Sequence, residues 1–150
     1  MKLKVPPVLI LVCFGLLMYG LSVILGVGDF DFFGRNYIVK FFLIACLCIM
    51  SLSIFQFYRA KTTVDPIAPS KVSSLVVKGM YRYTRNPMYL GMLFLLIALG
   101  LYLHNAFNVL LVAGFVKYMN AFQIIPEEDA LLKKFGSDYR KYCSSVRRWF

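Results

Sequence analysis

Glu127 and Glu128 are the only glutamates in the chain, and they are adjacent. They follow a long apolar run, where paired carboxylates could hold a cation or accept hydrogen bonds from a sugar's hydroxyls. Ordinary helix-start acids at the positive end of the helix dipole are the competing reading. A second segment, Gly79-Met80-Tyr81-Arg82-Tyr83-Thr84-Arg85-Asn86-Pro87-Met88-Tyr89-Leu90-Gly91, concentrates other groups able to do chemistry. Asn86-Pro87 is a helix start: Asn accepts hydrogen bonds from free amides, and Pro is preset for the first helical position. Arg85 then lies just ahead of a helix N-terminus, and a guanidinium beside free amides suits a carboxylate. Alternatively, Arg85 snorkels to lipid headgroups.

The elements that must position these residues are membrane spans. Hydrophobic residues make up 60% of 150 residues, against roughly 45–50% in soluble domains. A soluble protein this small could not hide so much apolar surface. Apolar runs extend from about Val8 to Val27, Tyr37 to Tyr58, Pro87 to Leu103 and Ala106 to Ile125. The first lacks an obvious small-residue cleavage site after Lys2 and Lys4, so a retained span is expected rather than a signal peptide. The third is short, and crosses with little tilt or with local thinning. Pro126 is expected to end the fourth run and to take the first position of a tail helix, with Glu127, Glu128 and Asp129 in its first turn. The expected fold is therefore all-α integral membrane, with about four transmembrane helices and a C-terminal amphipathic helical tail. It reads as one domain over 1–150, with two N-terminal spans in 1–58 and a loop, two spans and tail in 59–150.

The net charge is +10. The basic residues cluster at the N-terminus, the Arg59–Arg85 loop and the tail, whereas the first short loop carries Arg35 and the second none. The positive-inside rule places both termini and that loop in the cytoplasm. Attraction to anionic headgroups accounts for the basic excess better than nucleic acid, which is excluded as a partner. The short length suggests a bacterial inner membrane.

In the tail, Leu131, Phe135, Tyr139, Tyr142 and Val146 form an apolar stripe, for a helix on the membrane surface or folded back over the spans. Gly136 is a plausible helix stop. Cys13, Cys46, Cys48 and Cys143 are too scattered for a disulfide framework, and no metal site is expected. His104 reads as a capped turn on the face away from the cytoplasm. Lys117, inside the fourth span, either faces a cavity or snorkels. Met80, Met88 and Met92 read as packing, with a lipid-binding groove as the alternative.

Three pieces in order, Tyr81 to Gly91, Pro126-Glu127-Glu128, and Phe135-Gly136-Ser137-Asp138-Tyr139 through Val146-Arg147-Arg148-Trp149, resemble the isoprenylcysteine carboxyl methyltransferases and phospholipid N-methyltransferases. The loop Thr62 to Pro69 is similar to one in small bacterial members. The resemblance implies that the C-terminal half encloses S-adenosylmethionine on the cytoplasmic side, while a lipid or lipidated acceptor enters from the bilayer. It implies Arg85 and Glu128 as catalytic residues. Gly79, Asn86, Tyr89, Glu127, Glu128, Tyr139 and Arg147 would bind the cofactor, with Trp149 closing the pocket. Many members carry His where this chain has Asn86, and Asn cannot titrate near neutrality. The implied reaction is methyl transfer to a carboxylate such as a prenylcysteine-type C-terminus. A phospholipid amine acceptor, needing Glu128 or Tyr89 to take a proton, and a non-enzymatic membrane scaffold are the alternatives.

Overall fold

The computed structural model describes residues 5–59 and 75–150. The Thr62–Pro69 loop and Lys2, Lys4, Lys61 and Lys71 lie outside the described residues.

Length and hydropathy make the helices. α1 (Pro7–Ile24) and α2 (Arg35–Arg59) are apolar over 18 and 25 residues. They bury few side chains and turn most of their Leu, Ile, Val and Phe outward, the pattern of helices solvated by lipid. α3 (Pro87–Tyr102) is shorter, at 16 residues, and is the most enclosed: Tyr89, Leu93, Leu96 and Gly100 all face inward. α4 (Asn108–Met119) passes through one turn of π-helix, Asn120–Ile124, into α5 (Ile125–Ser145).

α2 runs antiparallel against α3. Val39, Cys46 and Ser53, seven residues apart, form its buried stripe, the spacing of a narrow helix–helix seam. Gly91 makes the close approach possible, since a Cβ there would lie 2.8 Å from Met50 Cγ. α1 packs on α3 and α4, with Phe14 edge-on to Phe115 at 5.6 Å. Asn108 Nδ2 donates to Ser22 Oγ at 3.0 Å, joining α4 to α1. The starts of α1 and α3 and the ends of α2 and α4 consequently share one end of the bundle. Lys78, Arg82, Arg85 and the basic tail lie at that end.

At the other end the two short loops pair through an antiparallel bridge between Asp29 and Asn105. His104 takes φ 60°, and its ring meets the Arg35 guanidinium, which also pairs with Asp31 at 3.0 Å. The turn is thus tied down by side-chain contacts.

Pro126 lies in the first turn of α5 with Glu127 and Glu128, as expected, but α5 is joined to α4 through the π turn rather than starting separately. The Ile125 amide bonds to Asn120 O in the wide π register, and the widened turn absorbs the donor that Pro126 lacks. Gly136, at φ 53° and ψ −118°, interrupts the helical backbone as expected, so α5 consists of two helices that meet at a kink there. Beyond the π turn, α5 packs its stripe, Leu131, Phe135, Tyr139, Tyr142 and Val146, against Tyr81, Leu75 and Val76. The tail is therefore folded back over the segment that leads into α3. Tyr142 Oη fastens it by donating to Tyr81 O at 2.7 Å.

Candidate functional site

The charged residues singled out in the sequence meet at the basic end of the bundle. Glu128, on the first turn of α5, lies between two guanidiniums. Arg85 Nη2 donates to its Oε1 at 3.0 Å, and Arg148 donates from Nε to Oε1 at 3.1 Å and from Nη2 to Oε2 at 2.6 Å. Fork-to-carboxylate pairing of this kind adds direction as well as strength. The Glu128 carboxylate raises the hold of Arg148 on its proton. The carboxylate that Arg85 grips is thus the chain's own. Its Nη1 also donates to Cys143 O at 3.0 Å, while Nε is buried without a partner.

Glu127 is placed differently. Its Oε2 accepts the Tyr89 hydroxyl at 3.0 Å. Burial first, and then the neighbouring Glu128 charge, push its carboxyl up to about 7, against the lowering effect of the Tyr89 bond. A carboxyl so placed keeps unused acceptor capacity. Of the adjacent glutamates, one is held by cations and the other has one donor among the described residues.

The last five residues form the strap that completes this arrangement. After α5 the chain turns extended at Val146 (φ −128°, ψ 133°). Arg147 O then accepts from the Arg85 amide at 3.0 Å. Arg148 O accepts from Thr84 Oγ1 at 3.2 Å and from Asn86 Nδ2 at 3.0 Å. Trp149 Nε1 donates to Asn120 Oδ1 on the π turn at 2.9 Å.

The individual expectations fall out unevenly. Arg85, Tyr89, Glu127 and Glu128 converge. Tyr139 is buried, and its phenol is pushed up by burial first, then by Cys143 and Glu128, with Arg85 opposing, so it stands close behind the ion cluster. Asn86 does not cap α3 with its side chain; the amide turns to the tail instead. Gly79 sits apart from the carboxylates, at φ 62°, where a Cβ would fall 2.1 Å from Gln56 Nε2 at the end of α2. Gln56 Oε1 accepts from the Met80 amide at 3.1 Å, which locks that turn. The Arg147 side chain is exposed, and Arg148 faces the site in its place. Lys117 lies on the outer face, and Met92 is core.

Sequence reading missed Gln123. It is 1% exposed, and its Nε2 has no hydrogen-bond partner. The only signal was a polar residue four positions before Glu127 in an apolar run.

A phospholipid methyltransferase family model matches residues 35–138, more than half of the chain and all of the convergent residues except those of the strap. The chain belongs to that family. A 62-residue stretch is similar to an uncharacterized protein of Haemophilus influenzae, at 47% identity over 41% of this chain and 98% of that protein. No solved structure matches. Family membership and the apolar helices make this an integral membrane protein of a methyltransferase family that acts on lipid-like molecules.

Proposed function

We propose that the chain transfers a methyl group from S-adenosylmethionine to a carboxylate carried by a membrane-borne acceptor, a prenylcysteine-type C-terminus being the model. The observation that carries this reading is the Tyr89–Glu127 pair beside the Arg85–Glu128–Arg148 cluster, at the membrane boundary of a methyltransferase-family chain.

The residues fit the cofactor's chemistry. Its ribose hydroxyls and ammonium are donors, and Glu127 is a partly buried acceptor with one donor among the described residues. Its carboxylate is an acceptor, and Arg85 Nε is a buried donor with none of its own. When bound, the cofactor supplies a sulfonium methyl already activated for transfer. Glu127 would bind it, with Tyr89 fixing the carboxylate's rotation. Glu128 would hold Arg85 and Arg148 so that strap and helix start close around the site. An acceptor carboxylate is already a nucleophile and no proton has to leave it. Alignment and exclusion of water are then the protein's main contribution.

We place this end of the bundle in the cytoplasm, in a bacterial inner membrane, because the basic residues gather there. A phospholipid amine is the second reading, favoured by the family description and by Glu127. A partly buried carboxyl raised to about 7 suits a base that removes an ammonium proton, which moves that role from Glu128 to Glu127.

Calorimetric titration of S-adenosylmethionine into detergent-purified protein, wild type beside Glu127→Gln/Glu128→Gln, tests the cofactor. Binding in the wild type and its loss in the double variant is expected. No binding by folded wild type overturns the reading. Labelled methyl recovered as base-labile ester identifies a carboxylate acceptor, whereas base-stable label in extracted lipid identifies an amine.

A further inference from the structure

The π turn has no need to exist for spanning a membrane, yet it places Gln123 where a regular helix would not. Asn120–Ile124 carries two polar side chains. Asn120 is occupied by Trp149. Gln123 is sealed, 1% exposed, and its Nε2 makes no hydrogen bond. Burying an amide donor without a partner costs stability, and native chains retain few such groups. π turns of this kind occur often at functional sites.

The surroundings decide which way the amide points. The Gln123 side chain lies beside the Tyr89 hydroxyl, with no hydrogen bond formed between them. Tyr89 gives its proton to Glu127 Oε2, so it can offer Gln123 only a lone pair. Nε2 is therefore the inward atom. It carries two N–H groups, and the hydroxyl could take one at most, leaving a donor unused. Gln123 thus stands one turn before Glu127, buried at the end of α4.

We infer that Gln123 Nε2 is a binding donor for one oxygen of the acceptor's carboxylate. This rests on the carboxylate reading of the preceding section. A neutral amide orients the group without cancelling its charge, whereas an arginine here would quench the attacking oxygen. With one oxygen held, the other takes the methyl. A C–O bond forms, the C–S bond breaks with its electron pair remaining on sulfur, and no proton moves. An amine nucleophile offers this donor nothing, because its lone pair must stay free to attack.

The test uses full-length protein in detergent, with N-acetyl-S-prenylcysteine as the carboxylate probe and phosphatidyl-monomethylethanolamine as the amine probe. Gln123→Met keeps length and suits the apolar surroundings, and Gln123→Glu places an anion against the acceptor. For Gln123→Met, KM for the carboxylate probe should rise about 10- to 100-fold with the cofactor Kd unchanged. Gln123→Glu should be weaker still. An unchanged KM, a matching loss of cofactor affinity, or wild-type turnover of the amine probe alone overturns the inference. Failure of the wild type to bind S-adenosylmethionine instead overturns the underlying reading.

Discussion

Arg148, twenty residues after Glu128, returns to it with two hydrogen bonds, the shorter 2.6 Å. The return matters because Arg148 also offers its carbonyl to Thr84 and Asn86. One residue of the tail thereby ties the start of α3 to the start of α5. Its neighbour Arg147 contributes a carbonyl to the same strap but keeps its side chain in solvent.

Arg148→Ala should therefore destabilise the protein by about 1–2 kcal/mol, a range already reduced for its partial exposure. Arg147→Ala should fall within about 0.5 kcal/mol of wild type. Thermal unfolding in detergent separates the two. Equal effects would mean that the Glu128 contact contributes nothing.

Stability should depend on pH through Glu127. Its folded pKa, about 7, lies above the ordinary carboxyl value of 4.5. Between those values the folded state binds more protons than the unfolded one. The Glu127 contribution is complete below about 4.5 and is lost as pH rises through about 7. Glu127→Gln should flatten the decline of melting temperature between pH 5 and 8, leaving the variant the more stable at the alkaline end. An unchanged profile would show that Glu127 is ionised throughout.

Tyr89→Phe should move that profile in a known direction. The Tyr89 hydroxyl stabilises the carboxylate form of Glu127, so its removal should shift the pH midpoint upward. At pH 8, where the carboxylate would lose its one donor among the described residues, the variant should be less stable by about 1–2 kcal/mol. A downward shift would contradict the donor role.

Gly79→Ala should destabilise for two separable reasons. The backbone sits at φ 62°, and the new Cβ would overlap Gln56 Nε2. Gln56→Ala in the same chain should remove the overlap but leave about 1–2 kcal/mol of left-handed strain. Full recovery in the double variant would show that φ carries no penalty here.

The spans and the tail's apolar stripe were legible in the sequence because both depend on local periodicity. A bilayer demands runs of a set length, and Leu131, Phe135, Tyr139, Tyr142 and Val146 recur at helical spacing whatever they pack against. The meeting of Arg85 and Tyr89 with Glu127 and Glu128 was legible as a motif, though not which atom touches which. Asn86 looked like a cap, and its amide instead serves the tail. Arg147 was chosen over Arg148 because neighbouring residues in an extended strap point opposite ways, and the sequence does not say where α5 stops. Pro126 looked like the start of a separate tail helix, and a π turn instead joins that helix to α4. Hydropathy and charge order thus determined by themselves what crosses the membrane and which end is basic. The tertiary structure alone decided which cation holds Glu128, that Glu127 has one donor among the described residues, and that Gln123 is buried facing Tyr89. Those outcomes depend on contacts between residues far apart in the chain and on single non-repeating backbone turns, neither of which leaves a periodic trace.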